Sequence, residues 1–350
     1  RCTGYRPIRE AAEAVAGTAP ADGFARALQA DASALPALRW VHDGAEAHVP
    51  TDFDHLFEVL AKHPDARLVA GATDVGLDVT KKGARFACMV SLHALPLRGI
   101  VRTAEGGWRI GATTRLSDLE LAVQDDLPAL ARMLRFFGSR QIKNRGTVGG
   151  NLCNASPIGD LAPVLLALDA TLVLRSAAGE RRVGIDDFFL AYRKTALGVG
   201  EILAAVEIPP VPADARLSAY KVSKRREMDI SAVACGLLVR VGADGLITHA
   251  RFGFGGMAAT PARAAAAEAA VIGQPFSAGT FAAAADASRQ DFNPLSDHRG
   301  SAWYRATVAS NLLKGFFHEV HSEAAPALAD RPSGTLLTPS PATPHAEAAR

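Results

Sequence analysis

The spacing of apolar side chains divides the chain into alternating helical and extended segments. Ile8, Ala11, Ala12 and Val15 recur at helical spacing behind Pro7 and before Gly17, which predicts a short helix within residues 1–17. Residues 18–50 are rich in Ala, Asp and Pro with little periodicity, and a linker is expected over 18–45. A helix is predicted from Asp54 to Lys62, with Leu56, Val59 and Leu60 inward and Pro64 ending it. Arg67-Leu68-Val69-Ala70 reads as a buried strand that leaves through the small residues Gly71 to Gly76. A strand over Trp108–Gly111 precedes Ser117-Asp118-Leu119-Glu120, which fits a capping box. A helix from Pro128 to Phe137 carries Leu130, Leu134 and Phe137 on one stripe, with Gly138 at its end. The densest run of small residues follows, Gly146 to Asp160. After it come a helix over Leu161–Leu168, a strand Thr171–Arg175, a turn at 177–180 and a strand Ile202–Ile208.

The cluster Pro209-Pro210-Val211-Pro212 marks a domain boundary. Beyond it, the apolar runs Ala232–Val241 and Ile247–Gly253 flank Asp244-Gly245, a strong hairpin signal. Helical patterns over 262–272, 280–287 and 301–320 follow, the last amphipathic through Val308, Leu312, Leu313, Phe316 and Phe317. From Glu323 the composition turns to Ala, Pro, Ser and Thr, and a disordered tail is expected over 321–350.

The chain has 350 residues, enough for about two domains. Its 38 basic and 36 acidic residues leave a net charge of +2, which argues against a nucleic-acid or polybasic membrane binder. A hydrophobic content of 49% suffices for packed cores. The longest apolar stretch, Leu161 to Leu174, is interrupted by Pro163 and Asp169, and it is too short for a membrane span of about 20 residues. The four cysteines, Cys2, Cys88, Cys153 and Cys235, are far apart and form no CxxC pair, so neither a disulfide scaffold nor a zinc motif is expected, and the cytoplasm is the default compartment. The chain opens Arg-Cys-Thr-Gly-Tyr without an initiator Met or an apolar leader, so no signal peptide is expected and a fragment or processed product is.

Two loops carry candidate chemistry. In Gly71–Gly76 the glycines let backbone N–H groups approach an anion closely, and Thr73 adds a hydroxyl. In Gly146–Asp160, Gly149-Gly150 precede Asn151, Ser156 and Asp160, giving amide donors, two side-chain amides, a hydroxyl and a carboxylate suited to ribose hydroxyls. Neither loop matches the dinucleotide G-x-G-x-x-G or the P-loop, and both also read as tight turns. Other residues have plainer readings: Phe137 fits a core stripe, Asp160 fits a cap for the helix at Leu161, and Lys224-Arg225-Arg226 fits a solvated basic face. Cys153 has no nearby His and reads as a small buried residue. His42, His48, His55 and His63, spaced 6, 7 and 8 apart, do not share one helical face, so no metal site is expected there.

The strings Leu68-Val-Ala-Gly-Ala-Thr-Asp-Val-Gly76 and Thr147-Val-Gly-Gly-Asn-Leu-Cys-Asn-Ala-Ser-Pro-Ile-Gly-Asp160 resemble the paired FAD-binding segments of the molybdenum hydroxylase flavoproteins. Residues 221–231 resemble the segment opening their C-terminal domain, and 295–305 resemble a late segment of the xanthine dehydrogenases; the likeness runs from about residue 50 to 320. Arg1-Cys-Thr-Gly-Tyr-Arg-Pro-Ile8 resembles the end of the family's [2Fe–2S] domain, which would make Cys2 the last ligand of a cluster whose other cysteines are absent here. An iron–sulfur domain fused ahead of the flavin domain is the order found in the small subunit of two-chain xanthine dehydrogenases.

The resemblance implies an α+β fold: a vanillyl-alcohol-oxidase-type FAD-binding domain of two subdomains over 46–211, then an antiparallel sheet with helices over 213–320, behind a [2Fe–2S] remnant at 1–17. It implies that Leu68, Val69, Ala70, Gly71, Ala72, Thr73, Asp74 and Val75 wrap the FAD pyrophosphate. Ala72 stands where relatives often have Asn or Gly. Phe137 matches an aromatic near the flavin. Thr147, Gly149, Gly150 and Asn151 would line the pyrophosphate and ribityl, Asp160 a nucleotide hydroxyl, Leu203 the adenine and Lys221 the flavin. Met228 stands where some relatives have an acid near the nicotinamide site, which leaves NAD contacts unassigned. The implied role is an electron relay, from purine hydroxylation at the molybdenum cofactor of a partner large subunit, through iron–sulfur clusters to FAD and on to NAD, in a hetero-oligomer. No side-chain acid, base or nucleophile is expected in this chain. The alternatives are the flavin subunit of another molybdenum hydroxylase, acting for an aldehyde, an aromatic substrate or CO, and a non-catalytic fragment.

Overall fold

The structure is a computed structural model that describes residues 5–16, 37–225 and 228–321. Residues 1–37 and those from Leu38 onward form two compact units. In the first, Tyr5–Ala16 is a helix with Arg6–Glu10 and Arg9–Glu13 ion pairs one turn apart. Cys2, most of the expected linker and nearly all of the expected tail lie outside the described residues.

The second unit is α+β and opens with a correction to the expected linker. Residues 38–49 form a hairpin of β1 (Leu38–His42) and β2 (Ala45–Val49), turned by Asp43-Gly44 with both φ positive. β2 then pairs in parallel with β4 (Cys88–Ser91), and β4 with β3 (Arg67–Val69), giving the order β1-β2-β4-β3. The helix Phe53–Lys62 is capped by Asp52, whose carboxylate accepts from the His55 N–H at 2.8 Å. Its Leu56, Val59 and Leu60 pack under this sheet as expected.

A five-stranded antiparallel sheet follows: β5 (Ile100–Arg102), β6 (Trp108–Gly111), β7 (Thr171–Ser176), β8 (Gly179–Gly184) and β11 (Ile202–Ile208), in the order β5-β6-β11-β7-β8. β9 (Phe189–Ala191) and β10 (Lys194–Thr195) form a separate ribbon. A bulge at Leu203/Ala205 turns Ala204 and Ala205 to the same face as Ile202, against the small sheet and its helix. Leu203, Val206 and Ile208 face the larger core, with the helices Leu116–Ala122, Pro128–Arg135, Val148–Cys153 and Leu161–Ala167. The expected capping box does not form. Ser117 is buried inside the helix Leu116–Ala122, Arg115 holds the cap position, and Glu120 turns inward to Lys143 at 2.5 Å.

The last sheet is antiparallel, β12 (Ala215–Val222), β13 (Val233–Val241), β14 (Ile247–Gly255) and β15 (Ala262–Arg263). Asp244-Gly245 turns β13 into β14, with Gly245 at φ +77°, as the hairpin signal predicts. The start of the expected helix at 262 is instead β15, and the helix itself runs Ala265–Val271. The helices Ala278–Asp291 and Ala302–His321 cover one face of this sheet through Phe281, Ala284, Leu313 and Phe316.

The helix Leu161–Ala167 covers the other face, and all seven of its residues are buried. It approaches so closely because β13 and β14 carry glycines beneath it. A Cβ on Gly253 would lie 2.2 Å from the Pro163 carbonyl oxygen, and one on Gly236 would lie 2.6 Å from the Val164 Cα. Gly253→Ala should therefore lower stability by about 1–3 kcal/mol, measured by denaturant unfolding. In the turn after β3, the exposed Ala72 sits at φ +62°, where a Cβ crowds the following carbonyl. Ala72→Gly should raise stability by about 0.5–1 kcal/mol, the relief of left-handed strain less the glycine entropy, seen as a higher Tm.

Candidate functional site

The two small-residue loops meet. β3 ends at Val69, Ala70 to Asp74 form the turn, and Val75 begins the helix Val75–Lys82. Gly71 lies against the backbone just before Thr147: a Cβ there would be 2.0 Å from the Arg145 carbonyl oxygen and 3.0 Å from the Gly146 Cα. Only glycine permits this contact. On the other side of the junction, Thr73 Oγ1 lies 3.7 Å from the Cβ position of Gly146. Ala70, Gly71 and Thr147 line one cleft with His93, Arg98, Thr113, Arg115, Asn144 and Arg145.

The cleft offers groups that suit an anion. Among the described residues, no protein acceptor takes the N–H groups of Gly71, Ala72, Thr73 or Asp74. Thr113 Oγ1 is buried without a partner. Three arginines are among the lining residues: Arg98 is paired with Asp118 at 2.7 Å, whereas Arg115 and Arg145 have no carboxylate partner among the described residues. Free amides, an orphaned hydroxyl and unpaired cations fit the diphosphate of a dinucleotide.

The second loop serves partly as scaffold. Thr147 caps the helix Val148–Cys153, its Oγ1 accepting from the Gly150 N–H at 3.0 Å. Gly149 donates its N–H to the Ala112 carbonyl at 2.8 Å, and a Cβ on it would be 2.7 Å from the Ala112 Cβ. Its lack of a side chain lets the helix sit against the end of β6. Gly150 is exposed, and Asn151 reaches toward Gly159, where the loop returns. Burial pushes the Cys153 thiol up to about 12, so it is no nucleophile at neutral pH.

Asp160 does not cap the helix it precedes. Its Oδ2 accepts from Lys221 Nζ at 2.8 Å, and its Oδ1 accepts from the Ser231 hydroxyl. Lys221 Nζ also donates to the Phe136 carbonyl at 2.9 Å. Both charged groups are nearly buried, with 9% and 5% of their side chains exposed. This triad brings together three segments that the sequence singled out: the end of the second loop, the start of the 221–231 string, and the turn holding the half-buried Phe137. Leu203 lies in the larger core, 4% exposed, opposite Leu174. Lys224 donates to the His298 carbonyl and Arg225 pairs with Asp229, which joins the 221–231 string to the 295–305 string; Arg226 lies outside the described residues. Met228 is exposed at φ +51°.

Sequence reasoning missed Lys143, Thr113, Arg115 and Ser231. Lys143 is fully buried between Glu120 and the Leu134 carbonyl, 3.0 Å away, and holds the short helix Arg140–Lys143 that delivers Arg145 to Gly71. A lone lysine in a basic stretch carries no sign of this. The unbroken run Arg140-Gln-Ile-Lys-Asn-Arg145 beside the glycines was the available signal.

Comparison with known proteins gives the family. The family model described as the FAD binding domain in molybdopterin dehydrogenase matches residues 43–211, and that of the CO dehydrogenase flavoprotein C-terminal domain matches 218–320. A putative xanthine dehydrogenase FAD-binding subunit of Escherichia coli is 34% identical over 81% of this chain and 97% of its own length. A xanthine dehydrogenase of Emericella nidulans is 34% identical over 78% of this chain, which spans only 21% of that longer protein. Among solved structures, a chain of the carbon monoxide dehydrogenase of Hydrogenophaga pseudoflava superposes with a TM-score of 0.75 at 29% identity, covering 81% of this chain and 99% of that one. The chain thus belongs to the molybdenum hydroxylase flavoproteins, carrying the FAD-binding domain of molybdopterin dehydrogenases followed by the CO dehydrogenase flavoprotein C-terminal domain.

Proposed function

We propose that this chain is the FAD-holding part of a xanthine dehydrogenase small subunit in the cytoplasm, relaying electrons from purine hydroxylation on a molybdenum-binding large subunit, through iron–sulfur clusters, to NAD. The observation that carries the reading is the junction of Gly71 with Arg145, which sets a row of free amides and unpaired arginines around one cleft. FAD, when bound, supplies two-electron acceptance and hydride donation. The chain's own residues bind and orient it. The amides of Gly71 to Asp74, with Arg115 and Arg145, hold the diphosphate. Thr113 and Thr147 offer hydroxyls beside it. Asp160 and Lys221 fix the turn at Phe136 and Phe137, where the aromatic ring backs the flavin. No side chain is required to carry a proton.

Xanthine as the substrate of the partner is supported by the near full-length likeness to the E. coli subunit. The second reading, a flavin subunit serving another substrate such as CO, is favoured by the likeness to carbon monoxide dehydrogenase. Co-purification with the molybdenum subunit and assay of NAD reduction with xanthine, an aldehyde and CO decides between them.

Gly71→Ala should force the loops apart and lower FAD retention at least about tenfold while the fold persists, read by flavin absorbance per chain. Retention at the wild-type level would place the diphosphate elsewhere. Asp160→Ala should strand the Lys221 ammonium, lower stability by about 3–5 kcal/mol and release FAD on gel filtration.

A further inference from the structure

Two of the four early histidines do come together, through the fold rather than through helical spacing. His48 lies on β2, His63 follows the helix Phe53–Lys62 as its C-cap, and Cys88 opens β4. One ring nitrogen from each histidine and the Cys88 sulfur all lie within 4.8 Å of one another. The His48 and His63 ring centroids are 5.8 Å apart. Tetrahedral Zn2+, with arms of about 2.0–2.3 Å, sets neighbouring ligand atoms roughly 3.5 Å apart, so the side chains need draw in by only about 1 Å.

A second observation points the same way. His48 is 5% exposed, and its Nδ1 is buried with no partner among the described residues. Its Nε2 meets Glu46 Oε2 at 2.9 Å. A histidine that donates one N–H to a carboxylate keeps the other nitrogen as a bare lone pair, which is how metal-bound imidazoles are oriented. Glu46 is in turn held by Arg39 through two bonds of 3.1 Å, and it sits beside Cys88 in the ladder. A buried imidazole nitrogen without a partner is costly, which points to a use for it.

We infer that His48, His63 and Cys88 form a structural Zn2+ site, with Glu46 orienting the His48 ring and water completing the coordination. Neutral imidazoles and a thiolate match this borderline-soft cation. His63, with a third of its side chain exposed, gives the entry path. The site pins β2, β4 and the end of the helix Phe53–Lys62 at the edge of the small sheet where β4 begins. The cofactor loop leaves from the other edge, beside Ser91, roughly 10 Å along β4. The cation would therefore brace the sheet without touching the cleft.

The full chain, freed of metal by a chelator, is titrated with Zn2+ alone and, as a spectroscopic probe, with Co2+. One cation per chain, a Tm that rises with Zn2+ and a cobalt–thiolate charge-transfer band are expected. Cys88→Ser should abolish the band. His63→Gln, at a position with a third of its side chain exposed, should leave the fold intact and weaken binding at least about tenfold, and Glu46→Gln by about 10–100-fold. No thermal shift and no band in the wild-type chain would overturn the site, as would a band that survives Cys88→Ser. FAD uptake in the same samples reports separately on the cleft: chain that takes Zn2+ but no FAD supports this site and sinks the flavin reading alone.

Discussion

The close approach of the helix Leu161–Ala167 to the last sheet is the constraint on which the site depends. This helix is buried on every side, with the larger core on one flank and β13 and β14 on the other. Gly236 and Gly253 remove the side chains that would hold the sheet away. The contact sets where β12 and the segment after it fall relative to the start of the helix. Asp160, at that start, can then meet Lys221 and Ser231 only at one spacing. A buried ion pair of this kind is a poor source of net stability, because desolvation offsets most of the attraction, but it tolerates little displacement. It acts as a positional lock between the two parts of the chain.

The cofactor cleft has a similar logic. Its essential feature is backbone against backbone: Gly71 at the Arg145 carbonyl, with Gly149 tucked against Ala112 to seat the short helix. The packing leaves the amides of Gly71 to Asp74 without protein acceptors among the described residues, and arginines line the same cleft in a chain whose net charge is only +2. In the proposed reading, the main-chain geometry would supply much of the hold on the diphosphate. Ala72 keeps its amide there and adds only the backbone strain of a positive φ.

Much of this was legible along the chain because the signals were local. Strands such as Trp108–Gly111 and Ile202–Ile208, and the hairpin at Asp244-Gly245, announce themselves through alternation, a bounded apolar run and turn residues respectively. The hairpin at 38–49 was lost because β1 alternates weakly and its Asp43-Gly44 turn sits in a stretch whose composition reads as linker. The capping box failed because burial of Ser117 and the Glu120–Lys143 pair, a contact 23 residues apart, outweighed a local preference. The two cofactor strings were visible as strings, but their junction was not, since nothing in a sequence states that Gly71 touches Arg145. Asp160 looked equally like a cap or a ligand until Lys221, 61 positions on, took its carboxylate. Helical spacing says nothing of His48 and His63, because one is a strand residue and the other a helix terminus.

The covering of the helix Leu161–Ala167 also bears on how the chain is made. As synthesis proceeds from the N-terminus, this seven-residue apolar segment emerges well before β13 and β14, which supply one of its walls. Until about ninety further residues have left the ribosome, one face of the nascent flavin domain has only water or a chaperone to meet it. The assembly therefore matures late and all at once, and a chain truncated shortly after Pro212 would present a greasy, adhesive flank.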